Sequence, residues 1–172
     1  MRVLLSEGAS TSSRQAITAL GLNGHDIEVC DPNPLCLGRF SRFVSRFHRC
    51  PGLATDPHGY LSFILDRIAG ERFDVLLPIH EQGFLFARMH EQILPHVAVA
   101  LPSFDSYERA HSKIGFSRLL SELDLPQPGT RFVASAEELL RIESFPFVLK
   151  AAIGTASRGT WVINNRGELQ AA

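Results

Sequence analysis

The sequence predicts an α/β fold built on a doubly wound parallel sheet, followed by a second, smaller α/β unit. Three observations carry this. Short apolar runs near residues 2–6, 27–30, 74–78 and 97–101 have the near-continuous hydrophobicity of strands buried on both faces. Helix-period segments alternate with them, giving the β–turn–α–β rhythm of a parallel sheet. From about residue 102 the pattern changes to capped helices and one apolar pair of runs around a glycine-rich loop.

Residues 2–6 form the first strand, and Gly8 to Ser13 make a small polar turn. Residues 14–22 follow as a helix, with Ala16, Ile17 and Leu20 on one face and Ser12 or Ser13 as cap. Gly21 and Gly24 end it, and the second strand runs to Cys30 before Asp31-Pro32-Asn33-Pro34. The order is Rossmann-like, but the opening turn lacks GxGxxG, so a dinucleotide fingerprint is weak. Asp31 sits where such a fold holds a ribose; a turn residue before proline is the other reading.

Residues 37–49 carry Arg39, Arg42, Arg46 and Arg49 at helical spacing, with Phe40, Phe43 and Phe47 alongside. Basic residues among aromatics suit an anionic partner. A short amphipathic helix or irregular connection covering the sheet edge is the expected reading. Asp56-Pro57 then starts a helix with Tyr60, Ile64 and Ile68 in its apolar stripe. Glu81 lies just past the strand at residues 74–78, at the edge where open α/β sheets bind ligands. A helix over residues 83–90 and a strand over 97–101 complete this half.

Pro102 to Asp105 marks the boundary. His111-Ser112-Lys113 opens a helix with Phe116, Leu119, Leu120 and Leu123 at i, i+3, i+4, i+7. Residues 124–129 break it, Phe132-Val133 is a short strand, and Ser135-Ala136-Glu137-Glu138 is a capping box for a helix through Ile142. The run Phe147-Val148-Leu149-Lys150 ends in a lysine, followed by the small residues Gly154 to Gly159 and by Thr160-Trp161-Val162-Ile163. Unscreened backbone N–H groups and an ammonium at a strand end can hold a polyphosphate. A plain hairpin with a small loop is the alternative. The lysine precedes the glycines, so this is not a Walker A loop.

Composition bounds the chemistry. The chain has 172 residues and a formal net charge of −1, which gives no general nucleic-acid or membrane-surface binder. No run has transmembrane length, and the N-terminus has no signal-peptide pattern. Cys30, Cys36 and Cys50 lack metal-ligand spacing, and the histidines form no HxH or HExxH, so disulfides and zinc are not expected and a reducing cytoplasm fits.

Lys150, Gly154, Ser157, Arg158 and Gly159, after a strand ending in lysine, resemble the glycine-rich loop of the ATP-grasp ligases, in the branch with biotin carboxylase and the carbamoyl-phosphate synthetase large subunit. The order from Lys113 through the capped helix to that loop is similar to the start of the ATP-grasp fold. The resemblance implies a pre-ATP-grasp domain over residues 1–101 and the N-terminal subdomain of an ATP-grasp domain over 102–172. It implies ATP and Mg²⁺ as cofactors, Lys113, Lys150, Gly154, Thr155, Ser157, Arg158 and Gly159 at the nucleotide, and Glu81 at the substrate. It implies ATP-dependent activation of a small-molecule carboxylate through an acyl phosphate, attacked by an amine or another nucleophile, with a homodimer as an open assembly state. The family's metal-binding carboxylates and E-x-N element lie downstream of the loop and have no match before residue 172, so an inactive, truncated piece of a larger ligase is expected. A non-catalytic nucleotide-binding or scaffold module, and a Rossmann-type NAD(P) protein, are the competing readings.

Overall fold

A computed structural model describes residues 1–154 and 159–171. The chain divides into two compact units, Met1–Phe104 and Asp105–Ala172.

The first unit is a parallel sheet in the order β3-β2-β1-β4, with β1 Arg2–Leu5, β2 Asp26–Asp31, β3 Val44–Arg49 and β4 Val75–Leu77. Alternate side chains of these strands enter two apolar layers. Val3, Leu5, Ile27 and Val29 meet Ile17 of α1 (Thr11–Leu22) on one face. On the other, Leu4, Cys30 and Leu76 meet Tyr60, Ile64 and Ile68 of α2 (Pro57–Gly70), with Phe86 of α3 (Gln82–Arg88) and Ile93 of α4 (His90–Ile93). Helices on both faces explain why these strands are apolar throughout. The first helix starts earlier than expected: its cap is Ser10, not Ser12 or Ser13, and the Ser10 hydroxyl accepts the Ser13 N–H at 3.0 Å. The expected Asp56 cap forms, with Oδ1 accepting the Gly59 N–H at 2.8 Å and Pro57 at the first helical position. The expected strand at 97–101 reduces to one parallel bridge, Val75 to Ala98.

Residues 37–49 depart from the helical reading. They form a 3-10 turn, Leu37–Phe40, and then the edge strand β3, parallel to β2. The four arginines fall at near-helical intervals, but pairing with β2 makes residues 44–49 a strand whose register shifts opposite Ile27/Glu28, with Val44 packed on the α1 layer and His48 buried beside Glu28. Phe43 packs on α1 at Gly21, where an added Cβ would lie 2.2 Å from the ring. Only glycine gives that helix surface room for the aromatic. Arg46 and Arg49 charge the outer strand, a common guard against edge-to-edge pairing.

A polar network lies under the α2 face. Arg2 Nε and Nη2 donate to Glu28 Oε1 at 2.8 and 2.5 Å, and His48 Nε2 lies 2.5 Å from Glu28 Oε2. Arg2 also reaches Glu71, which receives Arg46 and Arg67 as well. Glu28 is 3% exposed, so its carboxyl oxygens take their hydrogen bonds from these partners in place of water. The Arg2 hydrogen bond, then the neighbouring arginines, hold the Glu71 carboxyl below the usual carboxylate range. A carboxylate lowered on folding adds stability above its unfolded pKa, and that stability is lost as pH falls through the folded value. Glu71→Gln is therefore expected to flatten the acid limb of the stability–pH curve. Urea midpoints measured between neutral pH and pH 3 test this; an unchanged acid limb refutes it. The three cysteines are buried free thiols. The contact with Cys50, together with burial, pushes the Cys30 thiol well up, so it behaves as a small apolar group.

The second unit contains most of α5 (Phe104–His111), then α6 (Lys113–Glu122), α7 (Ala136–Leu140), the antiparallel pair β5 (Phe147–Lys150) and β6 (Thr160–Ile163), and α8 (Arg166–Ala171). Phe132-Val133 is not a strand; the chain there has no ladder partner among the described residues. Gln127 folds the 124–129 segment back onto α6 through Ser117 and Ser121. Ser135 accepts the Glu138 N–H at 3.1 Å, but the Glu138 carboxylate takes the N–H of Ala134 rather than that of Ser135, and α7 stops at Leu140.

Candidate functional site

In the second unit, Ser112 caps α6 by accepting the Gly115 N–H, which leaves Lys113 as the first helical residue. The backbone N–H of Lys113 donates to the Ala152 carbonyl at 2.8 Å. Its ammonium donates to the Gly154 carbonyl at 2.9 Å. Lys113 is thereby fixed to the base of the glycine-rich loop, although it lies far from that loop in sequence.

Lys150 ends β5 and pairs with Thr160, while Val148 pairs with Val162. The two-residue alternation puts Val148 and Lys150 on one face of β5. Lys150 is exposed, Val148 is 54% exposed and Val162 63% exposed. An open apolar surface beside an ammonium suits a flat base and its phosphates. Sequence reading had picked out the lysine and not this surface; the pairing register, which the sequence does not display, creates it. Below the loop, Gly159 has φ +71° and its carbonyl accepts the Ala151 N–H at 2.8 Å. An added Cβ on Gly159 would lie 2.9 Å from the Ala151 Cβ, so only glycine closes this base without strain. The structure thus brings together Lys113 and Gly154, and sets Lys150 and Gly159 on the same hairpin. Thr155, Ser157 and Arg158 lie outside the described residues.

In the first unit, Glu81 precedes α3 at the C-terminal edge of the sheet, exposed and not capping that helix. The neighbouring His80 is held at φ +60°, a region non-glycine residues seldom occupy. The ribose reading of Asp31 fails on geometry. Its Oδ2 accepts the Gly8 N–H at 2.9 Å and its Oδ1 the Asn33 N–H at 2.8 Å, and the residue is 2% exposed. The 3-10 turn also sits on the opening turn: Gly38 N–H donates to the Gly8 carbonyl at 2.8 Å, and Cys36 Sγ would lie 2.9 Å from a Cβ on Gly8. The place a pyrophosphate takes in a dinucleotide fold is occupied by the chain itself.

No family model and no curated protein matches this sequence. Solved structures do match. The biotin carboxylase domain of 2-oxoglutarate carboxylase from Hydrogenobacter thermophilus, solved with MgADP, ADP and bicarbonate, has TM-score 0.73 at 19% identity over 99% of this chain and 39% of its own. L-amino acid ligase from Bacillus licheniformis has TM-score 0.72 at 17% identity, over 99% and 40%. N5-carboxyaminoimidazole ribonucleotide synthetase from Thermotoga maritima has TM-score 0.68 at 19% identity, over 99% and 43%. All three are ATP-grasp proteins. The chain spans about two fifths of their lengths (39%, 40% and 43%). The likeness establishes the fold: a Rossmann-like parallel sheet followed by the start of an ATP-grasp architecture. The resemblance read from the lysines and the loop is borne out at that level.

Proposed function

We propose that the chain forms the N-terminal part of an ATP-dependent, carboxylate-activating ligase, with residues 1–101 as a pre-ATP-grasp domain and 102–172 as the first part of the nucleotide-binding domain. The observation that carries this reading is the Lys113 ammonium seated 2.9 Å from the Gly154 carbonyl, at the base of the loop between β5 and β6. ATP fits the residues present. Val148 and Val162 offer an apolar face for the base, and Lys113 and Lys150 offer two cations for the phosphates. Thr155, Ser157 and Arg158 are assigned to the same phosphates. Glu81 is assigned to the substrate, a small carboxylic acid or the amine that attacks its acyl phosphate. Magnesium fits less well. Among the described residues no group of three or more His, Cys, Asp or Glu side chains can hold a metal ion. Among the same residues no helix is long and apolar enough to cross a membrane.

The test is a titration of the chain with ADP, followed by the amide NMR signals of Gly154 and Gly159. Replacing either lysine by methionine removes a charge-assisted hydrogen bond and is expected to weaken binding by about tenfold or more. Lys113→Arg should retain part of the affinity. Equal binding by wild type, Lys113→Met and Lys150→Met would remove the basis for the assignment.

A further inference from the structure

Between Asp31 and Asp56 the chain carries Arg39, Arg42, Arg46 and Arg49 and no acidic residue, a concentration that the net charge of −1 conceals. Of these four, Arg46 has a carboxylate partner among the described residues, Glu71 at 3.2 Å, and the others have none. The carboxylates of the adjoining turn are tied inward. Glu7 accepts the Ser10 N–H at 2.6 Å and the Ser13 hydroxyl at 2.8 Å, and Asp31 is buried on Gly8 and Asn33. The Arg39 guanidinium lies 4.9 Å from the Phe47 ring centroid and donates to the Pro34 carbonyl at 2.7 Å, and that of Arg42 lies 4.8 Å from the Phe43 centroid. Arg49 follows Phe47 by two residues and so shares its face of β3. A stacked guanidinium keeps N–H edges for an oxyanion and loses little freedom on meeting one.

The same segment has an apolar tip. Leu35, Leu37 and Phe40 are 72%, 63% and 67% exposed, while Cys36 and Gly38 between them are buried. Three large apolar side chains on one short connection form a patch, unlike scattered single exposures. The backbone beneath them is already satisfied. The Leu35 N–H donates to Asn33 Oδ1 at 3.0 Å and the Cys36 N–H to the Asn33 carbonyl at 3.1 Å. The Gly38 N–H donates to the Gly8 carbonyl at 2.8 Å, and the Arg39 N–H to the Cys36 carbonyl at 3.3 Å. Backbone donors paired within the chain tolerate an apolar medium, whereas an extended peptide partner would need them free.

We propose that this tip docks the chain on an anionic lipid surface, with Leu35, Leu37 and Phe40 entering the boundary between headgroups and acyl chains and Arg39, Arg42 and Arg49 meeting the lipid phosphates. Apolar side chains flanked by arginines without carboxylate partners match a bilayer surface, which is apolar within and anionic outside. The charge of the whole chain is too small for general adsorption, so the contact belongs to this tip and not to the rest of the surface.

The experiment is co-sedimentation of the full chain with vesicles of phosphatidylcholine, alone or with about a third phosphatidylserine, at about 0.1 M salt. On the anionic vesicles an association constant on the order of 10⁴ M⁻¹ is expected, comparable to that of a single acyl chain, and on the neutral ones a value at least about tenfold lower. Arg39→Gln and Arg42→Gln should each weaken binding by about fivefold. Leu37→Ser combined with Phe40→Ser should weaken it by about tenfold or more. Arg46→Gln is the control: Glu71 already takes that charge, so binding should change by less than about twofold. These side chains are exposed, and far-UV circular dichroism of each variant checks that the fold is kept. Wild-type chain left in solution with both kinds of vesicle overturns the proposal. So does binding that neutral vesicles match, or that survives loss of Leu37 and Phe40, or that Arg46→Gln weakens as much as Arg42→Gln. Capture on immobilised polyglutamate without capture on vesicles would make the partner an acidic polypeptide and overturns it as well.

Discussion

Arg2→Ala is expected to destabilise the protein by about 3–5 kcal/mol, because it strips a buried carboxylate of its main counter-charge. Glu28 is 3% exposed and accepts from two Arg2 nitrogens at 2.8 and 2.5 Å. His48 remains on the other carboxylate oxygen and moderates the loss. The same change removes the Arg2 link to Glu71 and the guanidinium stacked 4.4 Å from the Phe73 ring centroid. The exposed pair Arg141–Glu137 is the natural control. Breaking it should cost below about 1 kcal/mol, as surface ion pairs usually do. A triple variant, Arg2→Met with Glu28→Leu and His48→Phe, should regain most of the lost stability, because apolar replacements remove the desolvated charge as well as its partners. Urea unfolding of the set measures these differences. A cost for Arg2→Ala no greater than for Arg141→Ala would mean that Glu28 is hydrated in solution and needs no counter-charge.

That network also shows which features the sequence could not display. Glu28 stands in the middle of an apolar run, and the β2 strand reading was sound without asking where its charge goes. Its partners, Arg2 and His48, come from the first strand and the edge strand, and no local pattern connects them. The edge strand was hidden for a related reason. Arginines at helical spacing point to a helix and a register shift breaks the two-residue alternation of a strand, so only tertiary pairing with β2 decides the outcome. The parallel sheet itself was legible, because strands buried on both faces carry their burial in composition. So were the cap residues Ser135 and Asp56, whose hydrogen bonds are local, whereas the first helix is capped by Ser10 and not by Ser12 or Ser13. At the candidate site, Lys150 and the glycines could be picked out from their neighbours in the chain. The Val148–Val162 face could not, since it depends on the register of an antiparallel pair. Family order implies Lys113 and Gly154 only as two groups at one nucleotide; the fold joins them directly, through the Lys113 ammonium and the Gly154 carbonyl.

Residues 1–172 taken alone are expected to bind nucleotide weakly and to turn over no ATP above background. A lysine–phosphate hydrogen bond contributes about 1.5–3 kcal/mol. Lys113 and Lys150 together reach roughly the 4 kcal/mol that corresponds to a millimolar dissociation constant. Catalysis demands more, and of a different kind. Even a modest enzymic acceleration of about a millionfold needs roughly 8 kcal/mol of stabilisation present in the transition state and absent from the ground state. On the proposed assignment, two lysines holding the phosphates before reaction would spend most of their attraction on binding. The transferring phosphoryl group spreads charge over its equatorial oxygens, and neutralising it usually requires metal ions held by carboxylates. Among the described residues no cluster of acidic or histidine side chains supplies such a holder. Adding Mg²⁺ to this polypeptide should therefore change neither its ADP affinity by more than about twofold nor its hydrolysis rate, in contrast to an enzyme that carries its metal ligands. The measurement is phosphate release with and without Mg²⁺, run beside an ADP titration under both conditions. Sustained magnesium-dependent release, abolished by Lys150→Met, would place the catalytic groups inside these residues and require a metal site built from side chains not grouped here.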